Sequence, residues 1–192
     1  MSQKKTLLKY TKYVMWGTVA LIPPAAFFYL LEFYTHNPFA EVRPWAQLFN
    51  IVLFELLAGI FLCITERLRT AYRIEGTAAL VFGLANAYVV RFRTNPLVPW
   101  DILSWRTAVS VSGNYDFTPD TRMIVVTILF LALIIGLQPV KFKIGRPGFF
   151  KRCLPGVVLG AVLVMFAGTL QQENFQNEHR LYNKLFTPVF MT

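Results

Sequence analysis

The chain has 192 residues, 55% of them hydrophobic, with a mean hydropathy of +0.47 and a net charge of +9. Only 15% are charged, against roughly 25% in ordinary soluble domains. This composition argues against a water-soluble domain, and the length leaves room for about five or six membrane crossings of roughly 20 residues, with no separate folded soluble domain.

The charged residues punctuate the chain into an all-α, polytopic membrane pattern. The first predicted span covers about residues 13–31, since no charge falls between Lys12 and Glu32. Its basic start resembles that of a signal peptide, but about 19 uncharged residues exceed the 7–15 of an ordinary signal core, and no small-residue cleavage site follows, so a retained anchor is expected. Pro23 and Pro24 fall mid-span, where a helix bends; a static kink is the plainer reading, a hinge the functional one. The second span, about 45–65, is interrupted only by Glu55. The third, about 76–90, is short. The fourth and fifth cover about 123–140 and 153–172. Within a bilayer each must be a helix, because backbone groups have no water to bond.

Lys and Arg set the expected orientation. The N-terminal stretch, the second connection and the fourth connection hold twelve positive charges and two acids, Glu66 and Glu75, whereas the other three stretches hold seven of each. The N-terminus is therefore expected inside and the C-terminus outside. The basic face meets anionic lipid head groups, and no nucleic acid is needed to explain it. Cys63 and Cys153 fall on the reducing side, where disulfides are rare.

Glu55 is the one ionisable residue deep in a predicted span, where a charge costs at least about 2.5 kcal/mol. Asn86, Tyr88 and Arg91 are its candidate partners. Two readings stand: a polar intramembrane site for a lipid head group or an ion, or a protonated structural acid. Ala79, Gly83 and Ala87 in the third span, and Gly156 and Gly160 in the fifth, recur at spacings that let helix backbones approach within the bundle. No phosphate-cradling glycine loop, paired-cysteine motif or HExxH occurs. His36 and His179 fall in different outer segments and read as isolated surface histidines, too few for a metal site.

The connection over residues 91–122 is long enough to be functional. Asp101 after Pro99 suits an N-cap for a short helix over about 102–111, with Ile102, Trp105 and Val109 on one side and Asp101, Ser104 and Thr107 on another. Such a helix lies in the membrane interface. Arg91, Arg93 and Arg106, with Trp100, Asp101 and Trp105, then form a candidate lipid-binding site, because arginine suits phosphate. The plainer reading is an aromatic belt with solvated arginines.

The stretch "RFRTNPLVPWDILSWRTAVSVSGNYDF" resembles the membrane region of the lipoteichoic acid synthase family of sulfatase-like phosphoglycerol transferases. The resemblance is carried by Arg91 or Arg93, Pro96, Pro99, Asp101, Asn114 and Tyr115, and the tail over 173–192 is similar to the family's linker. It implies five helices, a bacterial plasma membrane, and phosphoglycerol transfer by an extracellular domain with a threonine nucleophile and manganese or magnesium. That domain is not in this sequence, so no catalytic residue and no cofactor carry over. The expectation is a truncated or stand-alone membrane domain that anchors and presents membrane phospholipid, with a missing or separate catalytic domain as partner. The rival is a small stand-alone transport or assembly subunit with Glu55 at its centre.

Overall fold

The computed structural model describes residues 21–93, 96–97, 101, 116–140 and 149–170, with side chains from Leu154 onward in the last stretch. Among these residues the chain is all-helical: α1 (Leu21–Glu32), α2 (Pro38–Glu41), α3 (Pro44–Thr65), α4 (Leu68–Arg93), α5 (Thr121–Gly136) and α6 (Phe149–Leu170).

Local chemistry sets the boundaries. Pro38 and Pro44 open α2 and α3 at the first helical position, where a missing N–H is harmless and φ is already helical. Asn37 caps α2 by accepting from the Phe39 amide at 3.2 Å. Asp120 caps α5 by accepting from the Met123 amide at 2.7 Å. Glu66 ends α3 in the left-handed region at φ 61, a conformation glycine adopts more easily, and its amide donates to Leu62 O at 2.9 Å.

The helices alternate in direction. Turning at Glu66, α4 runs back along α3. A Cβ on Gly76 would meet Phe27 of α1, and one on Gly83 would meet Leu31 and Tyr34, so α1 and α4 advance together and are parallel. Arg122, at the start of α5, donates to Thr35 O just beyond α1 at 3.2 Å; Val140, past its end, accepts from Arg69 Nε near the start of α4 at 3.1 Å. Thus α5 is antiparallel to both. Gly156 of α6 faces Cys63, Leu159 faces Gly59, and Phe166 meets Phe49 at 5.8 Å, so α6 is antiparallel to α3. One end of the bundle gathers Thr35, Arg91, Arg93 and Arg122, and the other gathers Glu66, Arg69 and Val140.

The core is aromatic where α1 crosses α4 and α5. Phe27 and Tyr34 stack on Phe130 at 6.1 and 6.0 Å, and Phe28 meets Phe54 of α3 edge-on at 6.2 Å. Of the small residues of the third predicted span, Ala79 and Ala87 are buried and Gly83 packs against Leu31 of α1 and Tyr34. In the Gly156/Gly160 pair, Gly156 meets Cys63, whereas among the described residues a Cβ on Gly160 would meet nothing within 4 Å. Helix α1 continues through Pro23 and Pro24, both buried.

Two differences from the sequence expectation stand out. Helix α4 begins eight residues before the predicted third span and has 26 residues, so Arg69, Arg73 and Glu75 belong to a helix rather than to a connection. Only Pro44–Thr65, with mean hydropathy 2.3, is by itself long and apolar enough to cross a membrane among the described residues. Leu21–Glu32, Thr121–Gly136 and Leu154–Leu170 are apolar but shorter, and α4 falls short because both its ends are charged. The outer surface is nonetheless aliphatic, as at Ile128 and Ile135 of α5 and Val164 and Met165 of α6, each more than half exposed. The interior holds Glu32, His36, Asn50, Glu75 and Asn86.

Candidate sites within and at one end of the bundle

At the end where α4 finishes, three groups tie the following loop down. Asn86, buried, accepts from the Leu97 amide at 2.7 Å. Tyr88 donates its hydroxyl to Phe117 O at 2.9 Å. Arg91 donates to Thr118 O at 2.7 Å and lies 3.6 Å from Asp116. The three residues expected to partner Glu55 thus serve the loop instead, because the outer half of α4, where they sit, faces Leu97 and the 116–118 segment.

Arg93 and Asp101 form a two-pronged pair, Nη1 to Oδ1 at 2.9 Å and Nη2 to Oδ2 at 2.7 Å. This is the planar fork geometry that arginine and carboxylate favour. The hydrogen bond to Asp101 holds the guanidinium still more firmly in its charged form. The Asp101 carboxylate is gripped by Arg93; the helix it was expected to cap lies outside the described residues. Asp116 Oδ1 accepts from both the hydroxyl and the amide of Thr118, which together hold this carboxyl below its ordinary range. Arg91, Arg93 and Asp101 of the candidate lipid site are therefore brought to one end of the bundle, each arginine beside an acid. Trp100, Trp105 and Arg106, and the interfacial helix expected over 102–111, lie outside the described residues.

Beside this loop, α1 and α5 meet at a second polar cluster. His36 is 8% exposed, with Nε2 2.7 Å from Glu32 Oε2 and Nδ1 2.8 Å from the Thr35 hydroxyl. The expectation of an isolated surface histidine is corrected: the chain turns back after α1 and folds His36 against Glu32, one helical turn earlier. Tyr34 and Thr127 share a hydroxyl hydrogen bond at 2.8 Å. Beside Arg122 runs a groove of about 460 Å³ lined by Leu30 of α1, Phe33 just beyond it, and Thr121, Val125, Val126 and Leu129 of α5.

The third site lies inside. Glu75 is 2% exposed, and neither carboxyl oxygen has a hydrogen-bond partner among the described residues. Glu55 is half-buried on α3, the helix that packs antiparallel to α4. The sequence reading singled out Glu55 and passed over Glu75. The available signal was helical spacing: Tyr72, Glu75, Ala79, Gly83 and Asn86 recur every three or four residues on one face.

Among the described residues no group of three or more His, Cys, Asp or Glu is gathered as a metal would require. No family model, curated protein or solved structure matches the chain.

Proposed function

We propose that the chain is a five-span membrane module, N-terminus inside and C-terminus outside, that holds an anionic phospholipid in the outer leaflet, as the resemblance to the lipoteichoic acid synthase membrane region implies. In this reading the aliphatic outer surface faces lipid tails. The alternating helix directions agree with the charge pattern. Arg67, Arg69 and Arg73 fall near one end, while Arg91, Arg93 and Arg122 fall at the other with Asp101, Asp116 and Asp120.

The observation that carries the lipid reading is the α1–α5 groove. An acyl chain lies along Leu30, Phe33, Val125, Val126 and Leu129, and the phosphate sits at Arg122 and Thr121. Arg93 and Arg91 act as struts, each holding the loop through an acid. Phospho-transfer and its divalent metal belong, as the resemblance implies, to a catalytic domain on the outer face of a bacterial plasma membrane.

The test is lipid retention. The full chain is purified from mixed phosphatidylglycerol–phosphatidylethanolamine membranes, and bound lipid is weighed by native mass spectrometry. Parent protein is expected to enrich phosphatidylglycerol. Arg122→Ala is expected to lose that enrichment at least five-fold, a change of about 1 kcal/mol, while keeping its helicity. Equal enrichment in parent and variant, or none in the parent, refutes the proposal.

A further inference from the structure

The side of α4 turned away from the core carries a second groove. It holds about 640 Å³ and, among the described residues, is lined by α4 alone. Its lining follows two adjacent rows, Thr70, Ile74, Ala78 and Phe82 in one and Arg73, Thr77 and Val81 in the other. Each row steps by three or four residues, so both lie on one face of the helix. The opposite face is the packed one, with Tyr72, Glu75, Ala79 and Gly83 buried. The short side chains of Thr77 and Ala78 lie between Ile74 and the pair Val81 and Phe82, all three of them exposed, and this leaves a trough along the helix.

The trough is polar at one end and apolar at the other. Thr70 and Arg73 precede the predicted third span of about 76–90 and sit at the basic end, with Arg67 and Arg69. Ala78, Val81 and Phe82 fall within that span. Arg73 and Phe82 are nine residues apart, a rise of roughly 14 Å. Half of a bilayer's hydrocarbon core is roughly 15 Å thick, so the apolar part has the length of one leaflet's acyl layer. Charge points the same way. The Arg73 guanidinium has no hydrogen bond or ion pair among the described residues, whereas Arg69 donates to Val140 O and Arg91 and Arg93 stand beside acids. Glu75, two residues on, lies on the opposite side of the helix and is enclosed. A second copy docked here about an axis along the membrane normal would set Arg73 against Arg73 at one depth.

We propose that the α4 trough is a binding site for an anionic phospholipid of the inner leaflet. The phosphate sits at Arg73, whose planar fork suits it, and accepts from the Thr70 hydroxyl one turn away. One acyl chain runs over Thr77 and Ala78, between Ile74 and Val81, to Phe82. The site repeats the chemistry of the α1–α5 groove, an arginine and a threonine leading into an aliphatic trough, at the other end of the bundle. It rests on the membrane placement given under the proposed function, but not on a lipid at Arg122.

The experiment is photo-crosslinking of the full chain in phosphatidylethanolamine vesicles that contain either phosphatidylglycerol or phosphatidylcholine with a diazirine on one acyl chain. Adducts are mapped by peptide mass spectrometry. Phosphatidylglycerol is expected to label residues 74–82 at least about five-fold more than phosphatidylcholine, the scale of one arginine at an anionic lipid surface. Arg73→Gln should bring the two lipids to equal labelling, and Arg73→Lys should keep most of the preference. A diazirine near the head group should label Ile74 to Ala78, and one near the chain end Val81 and Phe82. Arg122→Ala should leave the α4 adducts unchanged; adducts on Val125 to Leu129 report separately on the α1–α5 groove. Equal labelling of parent by both lipids would leave ordinary boundary lipid only and overturn the proposal. So would a preference untouched by Arg73→Gln, a reversed depth order, which places the lipid in the outer leaflet, or chain-to-chain dimers that exclude lipid from α4.

Discussion

Replacing Gly76 with alanine tests the α1–α4 contact on which the bundle depends. The added Cβ would lie 2.6 and 2.7 Å from Phe27 Cζ and Cε1 and 3.0 Å from Ile134 Cγ1. Ordinary carbon–carbon contact is roughly 3.5–4.0 Å, so something must move by about 1 Å. Phe27 cannot swing aside cheaply, being fully buried and stacked flat on Phe130, itself fully buried. Overpacking of this kind costs about 1–3 kcal/mol. Against it stands the gain of about 1 kcal/mol from replacing glycine in a helix.

Gly160→Ala is the control, because among the described residues its Cβ meets nothing within 4 Å. The same propensity gain applies there without the clash. The gain cancels in the comparison, and the two variants should differ by the overpacking cost alone, about 2 kcal/mol. Reversible unfolding in mixed micelles, followed by circular dichroism, measures both. Gly160→Ala is expected to be at least as stable as the parent and Gly76→Ala less stable. Equal stabilities would mean that Phe27 does not rest on Gly76, and the parallel placement of α1 on α4 would fall with it.

Asn86→Leu removes the acceptor of the Leu97 amide, which should cost about 1–2 kcal/mol and speed hydrogen exchange at Leu97 while leaving the amides of α3 unchanged; slow exchange at Leu97 in the variant would show that the loop is held by other contacts. The lowered Asp116 carboxyl gives a pH prediction. A depressed folded value means that its contribution is present above the unfolded value of about 3.9 and is lost as pH falls through the lower folded value. The Thr118 amide, corrected for intrinsic exchange, should therefore stay protected down to about pH 4 and open below it. Asp116→Asn should abolish that transition, and opening already at pH 5–6 would point to another group.

What could be read from the sequence follows from which signals are additive along the chain. The helix Pro44–Thr65 was legible because an apolar run, a proline at its start and a charged stretch after it agree within a residue. The Arg93 and Asp101 positions were legible as a polar site outside the spans, but their mutual grip was not, because it depends on how the loop returns to the end of α4. His36 was misread for the same reason. Its neighbours in sequence are polar, yet the turn after α1 carries it back onto Glu32 at 2.7 Å, and burial there depends on α1 meeting the rest of the bundle.

Glu75 shows the deeper limit. Charge counting places it with Arg67, Arg69 and Arg73 and so reads a connection. In the folded chain all but Arg67 lie on one helix, with the acid turned inward and the arginines away from it. A hydropathy sum treats a charge on either face as the same interruption, so it splits a 26-residue helix and discards its first two turns. Helical periodicity treats the faces separately, and on that measure the apolar or small positions Leu68, Ala71, Tyr72, Gly76, Ala79, Gly83 and Ala87 run unbroken past Glu75. An acid that falls on such a stripe is enclosed when the neighbouring helices close over it. Its surroundings are then set by the helices packed over it rather than by the arginines beside it in sequence, and that is why the Glu75 carboxyl has no hydrogen-bond partner among the described residues.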